Sequence, residues 1–280
     1  MKTTALFLAL LAMITLSTMA AFATPIKCAG CKTEYFLMDH LKGPFNQATG
    51  SALQPGKIGN KKAVQLLADG KIQFAFTCKP HQKLAKKFNL PADKTADWVS
   101  TAIARDPIVV VINPDCGIDN LTVDQLKLVF SGQVNNWSEL GGNDLAVQVA
   151  HLDDSVESGI ITVFKETTVG KKGKLHPQAK AMGSPNQLGN FAKSKPGTIT
   201  FMGLNSYKDS YGKIVAIDSV LPEKDMIVQG AYPLAVTYHL VTHKGDNPGN
   251  QFLEYLGTPE GMALINEVMV AIPQREIQVP

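Results

Sequence analysis

The run DPIVVVINP at residues 106–114 constrains the fold most, because its centre, residues 108–112, is apolar throughout and lies between two prolines. A continuous β-branched run of this length is typical of a strand that is buried on both faces of a sheet. Helical patterns alternate with short apolar strands elsewhere, as in KKAVQLLADG at 61–70 followed by KIQFAFTCKPH at 71–81. This alternation predicts an α/β fold with largely parallel sheets, whose ligands bind beyond the carboxyl ends of the strands.

Other segments fit the same pattern. LTVDQLKLVFSG at 121–132 predicts a helix that Thr122 caps and Gly132 ends, and GTITFMGL at 197–204 predicts a strand. GNQFLEYLGTPEGMALINEV at 249–268 predicts two short helices that are split at Thr258 and Pro259.

The chain opens with Lys2, an apolar run and an Ala-x-Ala ending at Ala23. This pattern predicts a signal peptide over residues 1–23 and a periplasmic mature protein. The strongly apolar part, residues 5–16, is shorter than the roughly 20 residues that cross a bilayer. Nothing later in the sequence is apolar enough to predict a membrane span.

Charge excludes some classes of partner. Loss of Lys2 with the leader leaves 26 basic and 24 acidic residues, a net charge of +2. Such a balance does not support nucleic-acid or membrane-surface binding that depends on charge. The remaining residues suffice for two ordinary lobes, and we expect a monomer.

The segment DNLTVDQLKLVFSGQVNNWSELGG at 119–142 resembles the most recognisable part of the PstS-like phosphate-binding proteins of ABC transporters. Weaker similarities follow in the family's order: FNQATG at 45–50, ADGKIQFAFTCKP at 68–80, ESGIITVFKE at 157–166, KPGTITFMGL at 195–204 and YPLAVTYHLVT at 232–242. The resemblance implies a two-lobed periplasmic binding protein type II fold that closes on a small anion and delivers it to an ABC permease. It places lobe 1 at residues 24–112 plus 232–280, and lobe 2 at 113–231.

The resemblance also implies a ligand set. The family's three ligand loops fall on these residues: Gly30, Cys31, Lys32 and Thr33; Thr77 and Cys78; Ser158 and Gly159. Asp154 stands where the family often has an arginine, the strongest bidentate donor to phosphate, although Lys32 and Lys79 partly compensate. We therefore predict that the fold is retained and that tight phosphate binding is not.

Four interpretations of the cysteines remain open, because the resemblance places Cys31 and Cys78 in two ligand loops. The first is a disulfide, either Cys28–Cys31 or Cys31–Cys78, since free thiols rarely persist in an exported protein. The second is plain anion binding, in which the cysteines replace serines and the backbone amides bind the ligand, because a thiol is a poor donor.

The third interpretation is covalent haem c, since Cys-x-x-Cys spaces two thiols for the two vinyl groups of haem. Cys28 and Cys31 would attach it, with Lys32 as one axial ligand and His81 as a candidate for the other. The Cys-x-x-Cys-Lys motif resembles the haem-binding motif of some multihaem nitrite reductases. This interpretation predicts a cytochrome with a periplasmic redox partner.

The fourth interpretation is a zinc or copper(I) site on Cys28, Cys31, Cys78 and His81, because thiolates and imidazole suit both ions. Cys116 resembles no ligand position. The sequence has no Ser-His-Asp order, phosphate loop or nucleotide fingerprint, so an enzyme is the least supported class.

Overall fold

The computed structural model describes residues 25–31, 34–153, 159–170 and 173–273. Its strands are β1 (Pro25–Gly30), β2 (Ala52–Lys57), β3 (Phe74–Thr77), β4 (Trp98–Ile112), β5 (Asn120–Leu121), β6 (Gln148–Leu152), β7 (Lys180–Met182), β8 (Thr198–Gly203), β9 (Lys213–Ile214), β10 (Ala216–Ile217), β11 (Ala235–His243) and β12 (Val270–Ala271). Its α-helices are α1 (Tyr35–Thr49), α2 (Asn60–Ala68), α3 (His81–Phe88), α4 (Val123–Ser131), α5 (Gly159–Thr167), α6 (Pro185–Ser194), α7 (Lys224–Gln229), α8 (Pro248–Gly257) and α9 (Pro259–Asn266). The predicted signal peptide lies outside the described residues.

A long sheet in the order β2-β1-β3-β11-β4-β8-β6-β7 carries both halves of the molecule. The strands β2, β1 and β3 are parallel, as are β8, β6 and β7. The strand β4 joins the two groups, because it pairs with β11 up to Pro107 and with β8 from Ile108 onward. The α/β, two-lobed fold is therefore confirmed.

The prediction of largely parallel sheets was wrong for the connecting strands. The strand β4 is antiparallel to both β11 and β8, and β11 is antiparallel to β3. Parallel neighbours are joined by a crossover connection, usually a helix. The strand β4 runs from one lobe into the other and is not joined to β11 or β8 by such a crossover, so nothing requires it to be parallel to them. The lobe boundaries at 112/113 and 231/232 stay a prediction.

Local signals were accurate. Residues 108–112 of β4 are fully buried, as the apolar run predicts. The Thr122 side chain accepts from the Gln125 backbone N–H, the Gln125 side chain accepts from the Thr122 N–H, and α4 ends at Gly132. Thr258 separates α8 from α9 and caps the latter.

Each half has an aromatic core. Phe130, Phe164 and Phe201 pack together in one half, and the two latter rings stack 3.7 Å apart. Phe45 and Phe252 make an edge contact in the other half, with ring centroids 4.9 Å apart. Burial of each ring stabilises the folded state by roughly 1.5–3 kcal/mol relative to an exposed ring. These packed rings hold the sheets in place, and with them the strand ends where the loops begin. None of the described helices is long and apolar enough to cross a membrane.

Candidate functional site

The candidate site lies where β1 and β3 end beside each other. The two strands are parallel and pair Gly30 with Phe76, so their carboxyl ends meet at one edge of the sheet. Cys31 continues this pairing, since its N–H donates to the Phe76 carbonyl at 3.1 Å. Gly30 must lack a side chain here, because a Cβ would lie 1.8 Å from the Phe76 carbonyl oxygen.

The start of α2 belongs to the same edge. The Gly30 carbonyl accepts from the N–H groups of Ile58 and Gly59, at 3.3 and 2.7 Å. This contact brings Asn60, the first residue of α2, beside the β3 end, where its Nδ2 donates to Cys78 Sγ at 3.1 Å. Asn60 therefore belongs to one cluster with Cys31 and Cys78. The two cysteines were predicted ligand residues, whereas Asn60 was not predicted.

Cys78 is the exposed member of this cluster, because it is half-buried whereas Cys31 is only 5% exposed. The pKa of Cys78 is lowered to about 6, mainly by a hydrogen bond with Cys31, while burial opposes the shift. The Asn60 hydrogen bond and the charge of Lys79 contribute to the same lowering. The thiolate is therefore the favoured form of Cys78 at neutral pH. None of the four cysteines is in a disulfide.

Glu34, immediately before α1, is the second residue that the sequence did not predict. Its side chain is fully buried, and its Oε2 accepts from Cys31 Sγ at 3.7 Å. Its Oε1 has no hydrogen-bond partner among the described residues. Burial, together with the negative charge of Cys78, raises the pKa of Glu34 well above its ordinary range. The protonated form of the Glu34 carboxyl is therefore favoured, whereas the charged form of Cys78 is favoured.

Cys28 lies apart from this edge. It is in β1, two residues before the strand end, and is 2% exposed within the hydrophobic core. Burial raises the pKa of its thiol, and the nearby Glu34 carboxyl adds to the shift. Haem attachment through Cys28 and Cys31 needs both thiols to reach a porphyrin, and the packing around Cys28 leaves no room for one. Lys32, the predicted axial ligand, lies outside the described residues.

His81 turns away from the cysteines. Its Nδ1 lies 2.8 Å from Ser100 Oγ, and its ring makes an edge contact with Trp98. Burial lowers the pKa of His81. Within the described ranges, no three or more His, Cys, Asp or Glu side chains are grouped to hold a metal ion. The predicted metal site is thus not assembled from Cys28, Cys31, Cys78 and His81. Cys28 is packed in the core, and the His81 imidazole contacts Ser100 and Trp98 of β4.

The other predicted ligand residues have mixed positions. Thr77 is fully buried, and its hydroxyl donates to the Lys79 carbonyl at 2.8 Å, so it shapes the loop. Lys79 Nζ lies 3.3 Å from Glu166 Oε2 of α5, which joins the β3 end to the opposite lobe. Gly159 is the first residue of α5, whereas Thr33, Asp154 and Ser158 lie outside the described residues.

Asp106 is a further buried carboxyl, next to the point where β4 changes partner. It is 8% exposed, and burial raises its pKa to about 7. The signal was present in the sequence, since Asp106 lies directly before the apolar run at 107–112 and a buried aspartate is rare unless it is paired. By contrast, a surface depression of about 710 Å³ lies away from the cysteines, between the end of α1 and helices α8 and α9.

Comparison with known proteins gives consistent results. A family model described as "PBP superfamily domain" matches residues 20–265. The phosphate-binding protein PstS of Bacillus subtilis is 30% identical over 151 residues, which cover 53% of this chain and 49% of that protein. PstS of Borreliella burgdorferi is 25% identical over 178 residues, which cover 60% and 63%. The chain thus aligns with about half to just under two thirds of the length of these relatives.

Solved structures show the same fold. The crystal structure of PstS from Borrelia burgdorferi superposes with a TM-score of 0.77 at 17% sequence identity. The superposition covers 90% of this chain and 100% of that one.

Proposed function

The chain belongs to the PBP superfamily domain family, and we propose that it is an exported solute-binding protein of the PstS-like type. Its solute is a small oxyanion, which it holds at the edge formed by the ends of β1 and β3 and the start of α2. The relatives named as phosphate-binding proteins support this class of solute. An ABC permease is the corresponding partner, and the protein acts as a monomer.

One observation carries the proposal: the helices that begin at this edge lack side-chain caps. Neither Glu34 at the start of α1, Gly59 at the start of α2 nor Pro80 at the start of α3 caps its helix with a side chain. Elsewhere α7 is also uncapped, but four other helices are capped, by Thr122, Ser184, Asn247 and Thr258. Uncapped N-terminal amides carry partial positive charge and bind anions.

The cluster of thiols changes which anions fit. Cys78 as a thiolate repels a second negative charge nearby, and the pairing of Lys79 with Glu166 reduces the free positive charge. The protonated Glu34 carboxyl adds no charge. The site therefore favours a singly charged or protonated oxyanion and binds doubly charged phosphate weakly. Haem and metal gain no support, because Cys28 and His81 are held elsewhere.

Isothermal titration calorimetry of the exported, reduced protein tests this proposal. Phosphate at pH 6, where it is mostly singly charged, nitrate and the doubly charged sulfate are titrated separately, and at least one of the singly charged anions should give saturable heat. Asn60→Ala should weaken the binding, whereas Asn190→Ala, at an exposed site on α6, should leave it unchanged. If none of the three gives saturable heat at millimolar concentration, the proposal fails.

A further inference from the structure

The backbones of Cys31 and Cys78 are placed for a disulfide. The pairing of Gly30 with Phe76 sets Cys31 beside Thr77, and Cys78 is one residue further along the neighbouring chain. Extended strands about 4.8 Å apart, with a rise of about 3.3 Å per residue, would place the two Cα atoms roughly 6 Å apart but their side chains on opposite faces. Cys78 lies beyond Thr77, the last residue of β3, so the strand pleat does not hold its side chain on the opposite face. Disulfides occur at Cα separations of about 4.4–6.8 Å. The side chains already face each other, because they share a hydrogen bond.

The other thiols do not compete for this pairing. Cys28 is fixed in the core and is 2% exposed. Cys116 is fully buried at the far end of β4, where its Sγ lies 3.7 Å from the Thr198 carbonyl oxygen. Cys78 is the cysteine that solvent reaches, and the thiolate is the form of cysteine that attacks disulfides.

We propose that Cys31 and Cys78 form a reversible disulfide by thiol–disulfide exchange with an external disulfide RSSR. The Cys78 thiolate attacks one sulfur of RSSR, which forms the mixed disulfide Cys78–S–S–R and releases RS⁻. The Cys31 thiol transfers its proton to that RS⁻, and its sulfur then attacks Cys78 Sγ and releases a second RS⁻. The protein loses two electrons and one proton, and the external disulfide becomes RSH and RS⁻.

Glu34 is the positioning residue for the second step. Its Oε2 accepts the hydrogen bond of the Cys31 thiol, which keeps this sulfur at the strand end instead of in the core. Because Oε1 is buried and has no partner among the described residues, the carboxyl has no competing contact there. Glu34→Leu, which removes the acceptor oxygen, should therefore slow disulfide closure but leave the first attack by Cys78 unchanged, whereas Glu34→Gln, which keeps one, should close as the parent does.

Closure of the disulfide changes the solute site, an effect that rests on the proposed function. The bond removes the negative charge of Cys78 from the edge where the helix amides lie. Loss of this like charge should raise oxyanion affinity about tenfold in a site that water partly screens. The oxidised protein is then the tighter binder, and the reduced protein binds the same solute more weakly.

Mass spectrometry of the exported protein tests the disulfide directly. The protein is reduced, incubated with oxidised glutathione, quenched with N-ethylmaleimide and digested with trypsin. A Cys28→Ala background is used because Cys28 and Cys31 share one tryptic peptide. The expected product has lost two hydrogens and links the Cys31 peptide to the Cys78 peptide.

Variants separate the two steps. Cys31→Ser should stop at a glutathione adduct on Cys78, and Cys116→Ser should react as the parent does. A stable adduct in the parent protein, or an unreactive Cys78, would overturn the proposal. The mass readout does not need a solute, so a disulfide without oxyanion binding refutes only the proposed function, and oxyanion binding without a disulfide refutes only this inference.

Discussion

Replacement of Glu34 by glutamine tests the electrostatics of the site. The folded protein holds the Glu34 carboxyl protonated, whereas the unfolded chain releases the proton above the ordinary pKa of 4.5. The folded pKa is raised, so stability is complete below pH 4.5 and falls as the pH rises. Each pH unit costs about 1.4 kcal/mol while the two states differ by one proton.

Cys78 has the opposite effect at higher pH. Its pKa falls from an ordinary 9.0 to about 6 in the folded state, so the folded protein gains stability between these values. Burial also raises the pKa of Asp106 from an ordinary 3.8 to about 7, so this second carboxyl lowers stability over the same range. The free energy of unfolding of the wild type should therefore fall from pH 4.5 to 6, and above pH 6 the gain from Cys78 offsets one of the two losses.

Glu34→Gln removes the first slope, since its amide does not ionise. The variant should be the more stable protein at pH 6, and the difference between the two proteins should shrink as the pH falls to 4.5 and below. Urea unfolding under reducing conditions, followed by far-UV circular dichroism, measures this difference. Glu254→Gln, at an exposed site on α8, is the control and should change little at either pH. A variant that is less stable than the wild type at pH 6 would show that Glu34 is ionised and paired, which refutes the reasoning.

Three further predictions concern separate parts of the molecule. The alkylation rate of Cys78 with iodoacetamide should be half-maximal near pH 6, and Asn60→Ala should shift this midpoint upward. A midpoint near 9.0, the ordinary pKa of a cysteine, would contradict this prediction. Thr122→Ala should cost about 1 kcal/mol in urea unfolding, because α4 loses its N-cap hydrogen bond. Gly30→Ala should abolish folding because of the clash with Phe76, whereas Gly43→Ala, in open space within α1, should stabilise the protein by up to about 1 kcal/mol.

The fold could be predicted from the sequence to a large extent because its signals are local. The apolar run of β4, the Thr122 capping box and the break at Thr258 each depend on a few neighbouring residues, and each is confirmed. The direction of β4 depends instead on which strand lies beside it, which periodicity does not encode.

The site was harder to predict for a similar reason. Cys28 and Cys31 look equivalent in the sequence and both are buried, but β1 ends at Gly30, so Cys28 lies within the strand whereas Cys31 lies beyond its end, beside β3. Glu34 reads as an ordinary acidic residue at a helix start, where such residues are favoured for their charge. Its burial beside a thiol follows only from the contact between the β1 and β3 ends.

Hydrogen–deuterium exchange with mass spectrometry is the most direct test of where the solute binds. The reduced protein is measured with and without the oxyanion that gives the largest calorimetric heat. Exchange should slow at the starts of α1 and α2 and at the end of β3, including the amides of Asn60 and Cys78. Protection at α8 and α9, beside the surface depression, or no protection at the strand ends, would contradict the proposed site.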